Sequence, residues 1–214
     1  MFLAHFAAGL AASRKQPELP LGTAFLAAQL PDTLWPYLLL AGAERVVIAP
    51  GDTAVTPLRF ESYPWSHSLL FVLLWSAAFG ALLLWRGRSR ATALLAAALV
   101  SSHWLLDFAS HRPDVPLYPG GPVLGLGMWN SLPLTLLVEW SLFAAGIWIY
   151  VRGRRVGIGF WSLLALIGAL YLASVLGPPP PGVPAIVVST IVLMPLVWWW
   201  GNRVSASAPS RPPA

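Results

Sequence analysis

The stretch SSHWLLDFASHRPDVP, residues 101–116, carries His103, Asp107 and His111 at steps of four inside an apolar segment. On a helix, four-residue steps place side chains on one face. A His and an Asp one turn apart can share a proton or share a metal, and spacing alone leaves both open. The chain has only four histidines, His5, His67, His103 and His111, and all lie in or at the ends of apolar segments. So do Asp32, Asp107 and Glu139, out of eight acids. Ionisable groups in such segments are costly, and by default they mark function.

The elements that must position them are membrane-spanning. Charged residues make up 10% of the 214, against about 25% in a soluble domain, and the mean hydropathy is +0.69. Apolar runs long enough to cross a bilayer as helices fall near 22–42, 66–85, 91–110, 131–151, 158–176 and 183–201. Segment 2–12 is too short to cross alone. It lacks the basic start of a signal peptide, contains a histidine, and is expected as a retained short helix packed against the others. Cysteine is absent, which excludes thiolate metal sites, disulfides and thiol catalysis.

Arg86, Arg88 and Arg90 share one short loop and Arg152, Arg154 and Arg155 another, with Arg203 and Arg211 after the last run. The positive-inside rule makes these loops, Arg14, Lys15 and the C-terminus cytoplasmic. The loop 43–65 then lies outside, where Arg45 and Arg59 are offset by Glu44, Asp52 and Glu61. With that orientation His67, His103, Asp107 and His111 fall in the outer half of the membrane, and Asp32 lies near the middle of its run. His5 joins them if the short helix starts outside. Groups from four segments thus meet in one leaflet without having been used to set the orientation. Three or more such groups suit zinc or another first-row divalent metal.

Each residue also has a plainer reading. His103 and Asp107 can form an i,i+4 hydrogen bond that ties a bundle together. His5, His67 and His111 fit interfacial positions, and Glu139 fits a polar contact with a bundle partner. Trp65, Trp129 and Trp198 to Trp200 read as interface anchors. Haem ligation fits poorly, because carboxylates beside the histidines are not usual axial partners.

The order His5, LPD (30–32), PWSHS (64–68) and SHWLLDFASHRPD (102–114) resembles the YdjM-like membrane-bound metal-dependent hydrolases, a family described as LexA-binding and inner-membrane-associated. That family shows an early His, a PD motif, a THS-type motif at a helix start and SHxxxD on a later helix. The likeness covers residues 1–140, and GLGMWNSLP (125–133) looks like a subgroup feature. The order is also similar to the zinc-dependent phospholipase C and single-strand nuclease superfamily, an all-helical fold with clustered zinc ions. Carried over position by position, the resemblance implies His5, Asp32, His67, His103, Asp107 and His111 as metal ligands, with Asp32 or Asp107 as ligand or base. No histidine follows His111, so the superfamily's last HxxxE helix has no counterpart, and one or two ions are implied rather than three. FESYPW (60–65) replaces the family's HRG element, with Glu61 as a substitute ligand there.

The expected protein is an all-α polytopic bundle of five to six spans plus a short N-terminal helix. It forms one domain over 1–203, with the metal motifs in 1–114 and a disordered tail over 204–214. The expected function is a metal-dependent hydrolase in the inner membrane, its C-terminus cytoplasmic and its site toward the outer face. It would use zinc to activate water against a phosphoester, a lipid head group being the natural substrate. Arg112 is a candidate phosphate contact, interfacial anchoring being its plainer role. The alternative is a non-catalytic or permease-like protein with buried His/Asp pairs, including a proton relay. Nucleic acid is not an expected partner, since the basic residues are split among short loops and a tail.

Overall fold

The computed structural model describes residues 1–206. The chain is all-α, with two small antiparallel ribbons at one end. In order it forms α1 (Leu3–Lys15), α2 (Leu21–Ala28), α3 (Leu30–Leu40), β1 (Arg45–Ile48), β2 (Leu58–Ser62), α4 (Pro64–His67), α5 (Leu69–Trp85) and α6 (Arg90–Ser110). Then follow β3 (Val115–Pro116), β4 (Val123–Leu124), a 3-10 turn at Met128–Asn130, α7 (Leu132–Val151), α8 (Ile158–Leu176) and α9 (Val183–Ala206).

Among the described residues, four helices, α6 to α9, are long and apolar enough to cross a membrane, and α5 is an apolar helix of 17 residues. Their exposed side chains include Leu94, Leu105, Leu137, Trp148, Leu172 and Val192, as expected of surfaces that face lipid. The protein is therefore an integral membrane protein. The count of five to six spans needs correction, because the run 22–42 is two helices that meet at Gln29. Pro31 has no N–H to continue the ladder, and a second proline, Pro36, lies inside α3. The helix α9 also passes the expected boundary at 203 and includes 204–206; residues 207–214 of the expected tail lie outside the described residues.

The short helix α1 is the centre of the molecule. Nine of its 13 residues are buried, on every side of the helix, between α2, α6, α7 and α8. A helix apolar all round belongs in an interior. Leu3, Phe6 and Leu10 pack with Phe25, Phe143, Tyr150, Ile167 and Val197 in one core cluster. In lipid the drive for such packing is close contact rather than escape from water, so small residues sit where backbones meet. A Cβ at Gly146 of α7 would stand 2.7 Å from Ala7 Cα and 2.9 Å from Ala7 O. Gly22 of α2 meets the Trp198 carbonyl of α9 in the same manner.

The arginine loops gather at one end of this bundle. Arg14 donates to the Arg152 carbonyl, and Gln16 and Glu18 bond Thr92 and Ser89 at the start of α6. Asn202 of α9 accepts from Thr23 N. Arg86, Arg152, Arg154 and Arg203 lie over Trp85, Trp148, Tyr150 and Trp199 at the helix ends. The ribbons, the first turn of α1 and the end of α6 occupy the opposite end.

The α1–α7 contact has no flexible side chain to yield. Gly146→Ala is expected to lower the thermal midpoint in detergent, at a cost of about 1–3 kcal/mol. Gly157→Ala, where an added Cβ meets nothing within 4 Å, serves as the control. Tryptophan-fluorescence melting of the two variants checks this, and equal midpoints would mean that α1 is not clamped at Gly146.

Candidate metal centre

Five of the six sequence-predicted ligands converge at the end of the bundle away from the arginine loops. His5 comes from the first turns of α1, Asp32 from the first turn of α3 and His67 from the end of α4. His103 and Asp107 lie one turn apart near the end of α6. One group is His5, His103 and Asp107; a second is Asp32, His67 and His103. In each, the ligand atoms lie within 4.8 Å of one another. His103 belongs to both. All but Asp32 are buried, and the Asp32 side chain is 36% exposed.

Asp107 is the hub. Its Oδ1 lies 3.1 Å from His5 Nε2 and 2.5 Å from the Met1 nitrogen, and its Oδ2 lies 3.0 Å from His103 Nε2 and 3.9 Å from His67 Nε2. Asp32 Oδ1 stands 3.2 Å from His67 Nε2 and 3.9 Å from His103 Nε2. The His5 and His103 rings stack at 3.9 Å with an interplanar angle of 8°, so both could not be cationic without strong repulsion.

The far nitrogens fix the tautomers. His103 Nδ1 lies 2.8 Å from the Ala28 carbonyl, which can only accept, so Nδ1 carries the hydrogen. That carbonyl is at the break between α2 and α3. His67 Nδ1 lies 2.6 Å from Ser66 Oγ, whose own hydrogen goes to Glu44 Oε2 at 2.7 Å. His67 Nδ1 is therefore the donor there. As neutral rings, both histidines then direct bare Nε2 lone pairs toward the Asp32 and Asp107 oxygens. His103 Nε2 is buried with no hydrogen-bond partner, as is His5 Nδ1. Acceptors aimed at acceptors in a buried site can hold a cation among them. A histidine anchored through one nitrogen and bare at the other is also how metal-binding imidazoles are held. The donor set of imidazoles and carboxylates, without thiolate, suits zinc or manganese.

The sixth candidate, His111, stands apart. It follows the last residue of α6, and its Nδ1 bonds Asp114 Oδ1 at 2.9 Å. Tyr63 donates to the same oxygen at 2.9 Å. Burial and the Asp114 carboxylate raise the Tyr63 phenol well above its ordinary pKa, which keeps it a donor. Arg112 Nε reaches Asp114 Oδ2 at 3.1 Å, and its Nη1 reaches Asp52 at 2.5 Å. The expected phosphate contact is thus occupied by two carboxylates. Asp52 lies in the turn of the β1–β2 ribbon, also bonded to Arg59 at 2.8 Å, so Arg112 ties the ribbon to the end of α6. Ala54 N donates to Trp129 O, closing the ribbon onto the 128–130 turn.

These elements enclose a cavity of about 220 Å³. Asp32, His67, Asp107 and His111 line its polar side, and Trp35, Phe60, Trp129, Tyr171 and Met194 its apolar side. Trp129 is therefore not the interface anchor expected from sequence, because its ring packs on His111 at 4.1 Å. The GLGMWN segment lies against the end of α6: Leu126 N and Gly127 N donate to Phe108 O and His111 O. A Cβ at Gly125 would overlap the Arg112 carbonyl oxygen, so only glycine fits there.

Two acids find structural work. Glu139 of α7, buried, accepts from Phe2 N at 3.0 Å and Ala4 N at 3.0 Å and so caps the start of α1 just ahead of His5. Glu61 is exposed on β2. Glu44 is the residue that sequence reasoning missed: counted as an offset to loop arginines, it is 2% exposed. It accepts from Trp65 N and Ser66 N at 2.8 Å, capping α4 as well as anchoring Ser66. Nothing in its spacing gave it away, since its partners lie 21 and 22 residues on.

Ser66→Ala removes the oxygen that holds His67 Nδ1 and leaves every candidate ligand in place. Zinc affinity, measured by competition with a chromophoric chelator, is expected to fall about 10–100-fold. Unchanged affinity would mean that the Glu44–Ser66–His67 chain does not position a ligand.

No known protein family, curated protein or solved structure matches this chain, so the reading of the site rests on its geometry.

Proposed function

We propose that the protein is a membrane-embedded, metal-dependent hydrolase acting on a phosphoester. The observation that carries this reading is the pair of buried histidines, His67 and His103. Each is anchored through Nδ1, and each presents a bare Nε2 to Asp32 and Asp107. His5, Asp32, His67, His103 and Asp107 would hold one or two divalent ions, zinc first. A bound divalent ion lowers the pKa of water and polarises a phosphoryl oxygen. Asp32, the least buried of the five, faces the cavity and can take the proton of an attacking water. Trp129, Phe60 and Trp35 form an apolar wall of that space.

The resemblance to the YdjM-like hydrolases supports the same reading through His5, the PD pair at 31–32, the SHS at 66–68 and the SHxxxD at 102–107. The inner membrane, a cytoplasmic C-terminus and an outward-facing site belong to this proposal. They rest on the positive-inside rule, applied to arginine loops that lie at the end opposite the cluster. The same one-sidedness counts against a proton or ion path, which needs ionisable groups along the bundle.

Metal content per chain decides between this reading and a bundle tied by His/Asp pairs. Wild type purified in detergent and exposed to zinc and manganese is expected to retain near-stoichiometric metal by plasma mass spectrometry. His103→Ala combined with Asp107→Ala is expected to lose it. A well-folded wild type that holds no metal would assign the cluster a structural role.

A further inference from the structure

We infer that His111 is not a ligand but the proton donor of the site, held as an Asp–His dyad beside the five ligating groups. The inference rests on the metal-dependent reading above and adds a catalytic residue to it.

The geometry separates His111 from the cluster. It belongs to neither group of mutually close ligand atoms, although it lines the same cavity as Asp32, His67 and Asp107. Its Nδ1 faces Asp114 Oδ1, and a carboxylate only accepts, so Nδ1 carries hydrogen. Tyr63 O–H and Arg112 Nε hold the two oxygens of Asp114, which keeps that carboxylate aimed at His111. The Trp129 ring at 4.1 Å and the Phe60 ring at 5.0 Å fix the plane of the imidazole. What remains is Nε2. A carboxylate behind Nδ1–H fixes the orientation of the ring, which is the arrangement that lets Nε2 pass a proton back and forth.

In the proposed step, water oxygen bonds to phosphorus and the bond from phosphorus to the leaving oxygen breaks. Nε2–H of His111 gives its proton to that leaving oxygen, which departs as an alcohol. Asp32 takes the proton lost by the water. Transfer of that proton to solvent and re-protonation of His111 from solvent restore the starting state, so no other reactant is needed.

The first test does not depend on turnover. The full chain, labelled with 15N-histidine and loaded with 113Cd in detergent, is read by NMR, with single His→Gln variants to assign the four rings. His67 and His103 are expected to show cadmium coupling at Nε2. His111 is expected to keep its Nδ1 proton and show none. Cadmium coupling at His111 overturns the inference while leaving the metal reading intact; no coupling at any histidine removes both.

The second test uses zinc-loaded wild type and His111→Gln on the 4-nitrophenyl and phenyl esters of ethyl phosphate. A proton donor is worth about 10²–10⁴-fold where the leaving group is poor. His111→Gln is therefore expected to retain zinc and lose far more rate on the phenyl ester than on the nitrophenyl ester, whose leaving group needs little help. Equal loss on both esters, or loss of zinc, refutes the role.

Discussion

The structure is organised around a buried carboxylate. Asp107 sits near the end of a long apolar helix, among helices whose outer faces are leucine, valine and tryptophan, where a lone charge would cost several kcal/mol. The Met1 nitrogen answers part of that cost at Oδ1. His5, His103, His67 and the Met1 nitrogen surround its two oxygens. To bring His5 there, α1 must begin at that depth, in the middle of the bundle. A helix starting there has backbone N–H groups with no partner in its own turn and none in lipid. The carboxylate of Glu139 meets that demand. Placing one acid in the interior therefore obliges a second to be buried, which is why α7 carries Glu139 in a span otherwise free of charge.

The same logic explains the break at Gln29. A continuous helix over 22–42 would use each carbonyl for its own ladder. The break at Gln29 leaves the Ala28 carbonyl to His103 and places Asp32 in the first turn of α3. The broken span thus supplies both a candidate ligand and the acceptor that orients another candidate. Non-helical backbone at this depth is tolerable because α6 and α9 cover it.

Much of this was legible in the sequence. Hydropathy gave the long helices, and arginine placement separated the loop end from the cluster end. The types and spacing of His5, Asp32, His67, His103 and Asp107 marked the groups that the fold brings together. What was not legible has a common cause. Glu44 reaches Ser66 across 22 residues and the Ala28 carbonyl reaches His103 across 75, and none of these groups has a chemical type that stands out. Glu44 looked like one more surface acid in a loop that carries several. The segment 43–65 looked like only a loop, yet LRFES alternates apolar and polar residues as a strand does and pairs with RVVI in a two-stranded ribbon. Trp129 looked like an anchor because a tryptophan near a span end usually is one.

His111 shows where spacing misleads. Its position four residues after Asp107 continues the series from His103, and a helix extended by one turn would carry it on the same face. The helix α6 instead ends at Ser110, and His111 takes extended backbone with ψ near 152°. That single turn of the chain swings the ring away from His103 and toward Tyr63 and Asp114. Leu126 and Gly127 occupy the carbonyls that the helix leaves open, and Gly125 is needed for them to approach. The motif is therefore two devices joined end to end. Its helical half, His103 and Asp107, belongs to the buried cluster, and its extended half, His111 to Asp114, belongs to the wall of the cavity. The ribbon is tied to that wall through Asp52 and Arg112, so the covering of the cavity and the orientation of His111 depend on the same ion pairs.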